Sequence, residues 1–205
     1  MTAEEVYNRL VADNRMTDFD AFDAHVVASI LALSFCEAQT EGKPVVEAIG
    51  LERPDLARLL NRIFPYAVAL FLDDDKRAPT RSEDEITLID LLKRCGTTGS
   101  SFEALLAAMM ARRAQRPNHL WQDLGLQDRG ELSRLMTKHF APLAARNSKD
   151  MKWKKFLYRT ICRDTGYSLC VAPSCSECDD FDLCFNEETG ESFLARIRRN
   201  AEAAA

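Results

Sequence analysis

Four cysteines near the carboxyl end of the chain lie within fifteen residues, with the spacing C-x4-C-x2-C-x5-C. They are Cys170, Cys175, Cys178 and Cys184. So short a segment contains few large apolar side chains, and ordering each residue costs about 1–2 kcal/mol of conformational entropy. The segment therefore cannot build an apolar core of its own. We expect the four thiols to hold an inorganic centre that takes the place of a core.

The spacing of the thiols indicates which kind of centre this is. A structural zinc site usually contains two C-x2-C pairs separated by a dozen or more residues. Here a single C-x2-C pair has a further cysteine on each side, which is closer to the spacing of iron–sulfur proteins. The pattern favours an iron–sulfur centre, with zinc or unliganded thiols as the alternatives. Cys36 and Cys95 lie in helical patterns and are expected in the core, whereas Cys162 is a candidate for an additional ligand or a transient thiol.

Composition restricts the classes of protein that this chain can belong to. The 205 residues are 46% hydrophobic and 29% charged, with a net charge of −5 at pH 7, which argues against nucleic-acid binding by bulk charge. The amino terminus shows no secretory signal pattern. The longest apolar run, residues 26–35, is far shorter than the roughly 20 residues of a membrane span. Seven cysteines without an export signal favour a reducing compartment, so we expect a cytoplasmic protein without membrane or nucleic-acid partners.

Helical signals cover the first 150 residues, and no segment shows the sustained alternation of a strand. Capping patterns occur at Thr2-x-x-Glu5, Ser82-x-x-Glu85 and Ser100-x-x-Glu103. A long buried helix is expected from near Asp18 to Gly42, and another after Pro54. Residues 73–81 read as an exposed loop. We predict an all-α fold with a helical scaffold at 1–149, a basic helix and cysteine-rich metal-binding loop at 150–186, and a carboxyl-terminal tail at 187–205.

An internal similarity suggests that the scaffold contains a duplication. The pattern from Gly50-Leu51 to Phe64 recurs from Gly125-Leu126 to Phe140, at an offset of 75 residues that becomes 76 after one insertion. The pattern predicts a duplicated helical hairpin. The alternative is chance, since Leu-x-x-Leu spacings are common in helices.

The basic segment before the cysteines predicts an amphipathic helix. On a helical wheel one face is apolar and carries Trp153, Phe156, Leu157, Thr160 and Ile161. A separate basic stripe beside it consists of Lys152, Lys155, Arg159 and Arg163. Such a stripe can be ordinary solvated surface. Its position next to a thiolate cluster instead favours docking of an acidic partner or attraction of an oxyanion.

Several of these residues together resemble the NifQ family. The resemblance covers residues 100–186 and rests on His119-Leu120-Trp121-Gln122-Asp123-Leu124-Gly125-Leu126, Arg146-Asn147, Met151-Lys152-Trp153-Lys154-Lys155-Phe156 and the cysteine motif ending in Cys184-Phe185. Asn186 departs from the glycine expected there, which affects a turn and not a ligand.

The resemblance implies a cytoplasmic protein of nitrogen fixation that contains molybdenum and an iron–sulfur cluster, with the four clustered cysteines as ligands. It implies that the protein supplies molybdenum, taken from molybdate or a molybdenum-storage source, for the nitrogenase iron–molybdenum cofactor. The recipient that it implies is the assembly scaffold NifEN, together with NifH.

Two alternatives remain at this point. His119 is a further candidate metal ligand, although its place beside Leu-Trp at a helix start favours a capping or packing role. The rival function is a helical protein-interaction module with a structural zinc site. The sequence shows no nucleophile–base arrangement, no glycine-rich phosphate loop and no H-E-x-x-H motif, so we do not expect an enzyme.

Overall fold

A computed structural model of the chain describes residues 1–12, 19–72 and 77–164, and these ranges contain eleven α-helices and no strand. The all-α prediction is therefore confirmed for the described residues. Residues 165–205, with the four clustered cysteines and the tail, lie outside them. The helices are α1 (Ala3–Ala12), α2 (Ala21–Glu41), α3 (Val45–Ile49), α4 (Arg53–Ile63), α5 (Val68–Phe71), α6 (Glu83–Arg94), α7 (Ser101–Ala114), α8 (Leu120–Asp123), α9 (Arg129–His139), α10 (Ala141–Arg146) and α11 (Trp153–Asp164).

The helix starts follow the capping chemistry of the sequence. The hydroxyls of Ser82 and Ser100 accept the backbone N–H groups three residues later, at 3.1 and 3.2 Å. The start of α2 was predicted near Asp18, and the helix begins after the N-cap residue Asp20. The Asp20 carboxylate accepts a hydrogen bond from the backbone N–H of Asp23 at 2.9 Å. This N–H lies in the first turn, where the helix itself provides no acceptor. Gly42, with φ of 63°, ends the helix as predicted.

Helix α2 runs through the core of the fold. By length and composition it could cross a membrane, but 78% of its most apolar 18-residue window is buried inside the fold. A helix that is apolar on all sides is typical of the centre of a soluble domain. The described residues thus form a helical domain around α2.

Two parts of the scaffold, α3–α4 and α8–α9, share one arrangement, in which a short helix is followed by a longer one. In each part a glycine in the left-handed region follows a short helix: Gly50, with φ of 78°, is the C-cap of α3, and Gly125, with φ of 73°, follows Leu124, the C-cap of α8. Each glycine precedes an eleven-residue helix that stops at a phenylalanine in nearly the same conformation, Phe64 with φ of −134° and Phe140 with φ of −137°. Matching turns, beyond matching leucines, favour duplication over chance for the segments α3–α4 and α8–α9.

Helix α11 packs its predicted apolar face onto the scaffold. Trp153, Phe156, Leu157 and Thr160 are buried, and Ile161 is half-buried against the core. Helix α11 contacts α6. The scaffold therefore fixes the helix from which the cysteine-rich segment continues.

The turn at Gly50 provides a stability test of the duplicated unit. A Cβ atom on Gly50 would lie 2.7 Å from the Cβ of Arg112, whereas a Cβ on Gly42 would meet nothing within 4 Å. Both glycines have positive φ, so each alanine variant loses about 1–2 kcal/mol. We expect Gly50→Ala to lose a further 1–3 kcal/mol, roughly, from overpacking. Urea denaturation of the two variants measures the difference, and equal midpoints would show that α7 does not restrict this turn.

Candidate functional site

The described part of the candidate site is helix α11, which leads directly into the cysteine-rich segment. The predicted ligands Cys170, Cys175, Cys178 and Cys184 lie outside the described residues. The structure places the other candidates, namely Cys162, His119 and the basic stripe. In the described ranges, no group of three or more His, Cys, Asp or Glu residues could hold a metal ion.

A buried ion pair holds the first turn of α11. The Nζ of Lys154 lies 2.5 Å from Oδ2 of Asp123, which is 3% exposed, and also donates to the backbone carbonyl of Arg116. The other oxygen, Oδ1 of Asp123, accepts from Asn118 Nδ2 at 3.0 Å. Burial lowers the pKa of Lys154 even though the Asp123 carboxylate acts to raise it. Because the buried Asp123 carboxylate must keep its counter-ion, the half-buried Lys154, this pair fixes α11 relative to α8.

The ion pair belongs to a larger network that reaches the core helix. Arg113, which is 2% exposed, donates from Nε to the backbone carbonyl of Asp123 at 2.5 Å and forms a bidentate pair with Glu37 of α2. Arg116 pairs with Glu37 at 2.8 Å and with Glu41 at 2.7 Å. The hydrogen bond from Arg116 lowers the pKa of Glu41 to about 2. Charged side chains thus connect α2, α7, α8 and α11.

Two further contacts hold α11 along its length. The indole Nε1 of Trp153 donates to Ser133 Oγ at 3.4 Å, on α9. The Nε2 of Gln115 donates to the hydroxyl of Tyr158 at 3.1 Å, and burial raises the pKa of Tyr158. The rotation of the helix about its axis is therefore defined, and with it the direction of the basic stripe.

The basic stripe lies on the accessible side of α11. Lys155 and Arg163 are exposed, and Lys152 and Arg159 are half-buried. Cys162 is half-buried in the last turn of the same helix. The structure therefore places the basic stripe and Cys162 on the helix that precedes the cysteine-rich segment, while their roles stay predictions.

A charged cleft of about 310 Å³ near Gln115 is a less suitable place for an anion. Its Arg112 is paired with Glu85 at 2.9 Å and with Glu47 at 3.0 Å. Its Lys43 is paired with Glu41 at 2.9 Å. These cations of the cleft therefore already have carboxylate partners.

His119 is the N-cap residue of α8. Its backbone N–H donates to Oε1 of Gln122 at 3.1 Å, which is the capping role that the sequence favoured. Helix α8 contacts α11 at Lys154, and Cys162 lies about 12 Å further along the α11 axis, at 1.5 Å per residue. His119 is thus placed beside the start of α11, whereas Cys162 is near its end. A metal-ligating role for His119 remains a prediction.

Sequence reasoning missed two buried polar residues of the second unit. Asp123 holds Lys154, and His139 lies with Nε2 2.8 Å from Oδ1 of Asp23 on α2. At the corresponding positions of the first unit stand Ala48 and Ile63. The available signal was a polar residue at a position where the first unit has an apolar one. A buried polar side chain must find a hydrogen-bond partner, so such a position indicates a buried contact.

Comparison with known proteins places the chain in a family. The sequence model of NifQ matches residues 26–186, which include most of α2, all of α3 to α11 and all four clustered cysteines. The protein NifQ homolog of Sinorhizobium fredii (strain NBRC 101917 / NGR234) is 42% identical over 172 residues, or 83% of this chain and 75% of that protein. Protein NifQ of Rhodobacter capsulatus is 39% identical over 164 residues, or 79% and 89% of the two chains.

A third relative matches over a shorter range. Protein NifQ of Azotobacter vinelandii is 39% identical over 106 residues, or 51% of this chain and 54% of that protein. No solved structure matches the chain. The family match spans most of the sequence and includes the whole cysteine motif, and the chain belongs to the NifQ family.

Proposed function

We propose that this protein carries a molybdenum–iron–sulfur cluster and supplies molybdenum for the nitrogenase iron–molybdenum cofactor. The observation that carries the proposal is the C-x4-C-x2-C-x5-C motif, which is present in full inside the range that matches the NifQ family. Thiolates are soft ligands that suit iron–sulfur clusters. The chain acts in this role as a carrier and not as an enzyme, and the cluster is its cargo.

In this proposal the four thiols need not all bind the same metal. Three thiolates suffice for three irons of a cuboidal cluster, which leaves the fourth thiol, Cys162 or His119 for the molybdenum. A cluster on a short loop is open to the thiolates of an acceptor, so ligands can exchange one at a time. Release to a partner then needs no unfolding of the helical scaffold.

The scaffold contributes orientation and charge. Helix α11 is held by the Lys154–Asp123 pair and carries the basic stripe next to the cysteine-rich segment. Cations at this place offset the negative charge of a thiolate-ligated cluster and favour approach of an acidic acceptor surface. We propose that the acceptor is NifEN acting with NifH, that the molybdenum comes from molybdate or a storage source, and that the transfer takes place in the cytoplasm.

Charge reversal on the stripe tests whether it serves this transfer. In the variant Lys155→Glu/Arg163→Glu both changed side chains are exposed, so each should alter stability by less than about 1 kcal/mol. Loss of steering should slow molybdenum transfer to the acceptor by roughly tenfold or more at low salt. The wild-type rate should also fall as salt is added, because screening weakens the attraction.

The control for this variant is Arg58→Glu/Arg94→Glu, which makes the same change in net charge at exposed positions on α4 and α6. It should transfer molybdenum at the wild-type rate. If the two double variants transfer at the same rate, the stripe is ordinary solvated surface.

A further inference from the structure

One side of α6 carries four exposed residues that lie in line with one another. On a helical wheel Glu83, Ile86, Asp90 and Lys93 fall within about 80°, and all four are exposed. We call this set the α6 ridge. It begins with a carboxylate and ends with an ammonium, and between them Ile86 is an apolar side chain that is 47% exposed.

An open groove lies beside the ridge, between α6 and α7. Its cavity of about 300 Å³ has apolar walls that include Leu51, Ile89 and Leu105, and three of the four ridge residues also line it. An exposed apolar side chain beside an apolar groove is typical of a binding surface. The groove and the α6 ridge together therefore form a candidate interface.

The charges around the groove are nearly balanced. The lining contains Glu52, Asp55, Asp90, Arg81 and Lys93. Asp55 is paired with Arg58 at 2.7 Å. Arg81 counts as an available cation, because Glu85, 4.0 Å from its Nε, is bonded to Arg112 at 2.9 Å. Two carboxylates and two cations then remain, so the groove favours a partner surface that carries both signs over one that carries a single sign.

The order of the charges along the ridge is complementary to itself. Glu83 lies in the first turn of α6 and Lys93 in its last turn, about 15 Å apart along the helix axis. Within the described ranges neither forms an ion pair, and the same holds for Asp90. A copy of the helix in the antiparallel direction presents a lysine to each Glu83 and a glutamate to each Lys93, and its dipole opposes that of α6. A parallel copy would instead bring like charges together.

The antiparallel arrangement also gives the exposed Ile86 a place to pack. A twofold axis midway between Glu83 and Lys93 sets Ile86 of the partner subunit opposite Asp90, at the edge of the groove that Ile89 lines. The two Asp90 carboxylates are then not opposite each other. Because both copies use the same patch, the contact is isologous and closes as a pair.

We propose that a second copy of this chain binds antiparallel along the α6 ridge, with Ile86 of each copy in the groove of the other. Ile86 supplies the apolar contact, and Glu83 and Lys93 set the direction of the pair. This dimer goes beyond the carrier function and uses no residue of α11 or of the cysteine motif. A failed test of the metal cluster would therefore leave it untouched, and the converse also holds.

The first test measures the mass of the full chain by light scattering over a series of concentrations, with a thiol reductant present to prevent disulfides. The wild-type mass should rise towards that of two chains, and added salt should lower it by screening the charge pairs. Ile86→Asp should weaken dimerisation by roughly tenfold or more, because it places a charge in the apolar contact. The control Val11→Asp changes an apolar residue of α1 that is 37% exposed, and it should dimerise like the wild type.

The second test reverses the charges of the ridge. Glu83→Lys/Asp90→Lys makes its charges all positive, and Lys93→Glu makes them all negative, at positions that are exposed and should leave the circular dichroism unchanged. Each variant alone should be a monomer at concentrations where the wild type is a dimer, because like charges then meet. An equimolar mixture of the two should form dimers again.

Three results would overturn the proposal. They are a wild type that stays monomeric over the whole concentration series, an Ile86→Asp variant that dimerises like the wild type, and a mixture of the two charge variants that stays monomeric. The second result would show that copies associate through another surface, and that the groove has a different occupant.

Discussion

Replacing any one of Cys170, Cys175, Cys178 and Cys184 by alanine is expected to lower the retained iron and molybdenum by roughly tenfold or more, about 1.4 kcal/mol of binding free energy. In the proposed carrier each thiolate is one of the few bonds that hold the cargo, so the loss of one should weaken binding. Metal content per chain after desalting measures the effect. The helical scaffold should keep its circular dichroism in all four variants, because its core does not include these residues.

Cys36→Ala is the matched control for these variants. Cys36 is half-buried on α2, and burial raises its pKa, so this thiol is a poor source of the thiolate that a metal requires. The control should retain the iron and molybdenum of the wild type. Full metal content in all four variants of the clustered cysteines would show that the motif does not hold the cluster.

The largest effect on stability is expected from Asp123→Ala, which should cost about 3–5 kcal/mol of unfolding free energy. The change leaves the half-buried ammonium of Lys154 without its counter-ion, and Asn118 without its acceptor. Lys154→Met should also be costly, because it leaves the Asp123 carboxylate, which is 3% exposed, without its cation. Urea denaturation at pH 7 measures both variants.

The exposed neighbour of Lys154 provides the control for that pair. Lys155→Met should change stability by no more than about 0.5 kcal/mol, as is usual for surface positions. If Asp123→Ala is as stable as Lys155→Met, the buried pair does not hold α11 on the scaffold.

The same pair predicts a dependence of stability on pH. Burial lowers the pKa of Lys154 in the folded protein below its ordinary value of 10.5. Just below pH 10.5 the unfolded chain therefore binds more protons than the folded chain at this residue. The contribution of Lys154 to unfolding free energy should rise as pH approaches 10.5. The wild type should gain stability over this range relative to Lys154→Met, and parallel pH curves would contradict the lowered pKa.

Local chemistry explains which parts of the fold could be predicted from the sequence. Ser82 and Ser100 mark helix starts because their hydroxyls bond to backbone groups only three residues away. Helices α3 and α8, with five and four residues, are too short to show a periodic pattern. The glycines that follow them, Gly50 and Gly125, were recognised only as part of the repeat. Interactions that lie close in sequence were therefore predictable, and very short helices were not.

Ion pairs between residues far apart in sequence decide which cations of the candidate site are paired, and the sequence alone does not show them. Lys154 and Lys155 are adjacent and chemically identical, yet one is paired with a buried carboxylate and the other is exposed. The residue that decides between them, Asp123, lies 31 positions earlier in the chain. The cysteine motif, in contrast, is defined by its own spacing, so the sequence suffices to predict it.

The most direct test of the carrier function is metal analysis of the full chain purified without oxygen, together with its visible absorption spectrum. We predict that the protein is brown, with broad charge-transfer absorption from thiolate-ligated iron, and that it contains both iron and molybdenum. A colourless protein that contains a single zinc ion and neither iron nor molybdenum would contradict this account. That result would identify the cysteine motif as a structural zinc site on a helical interaction module.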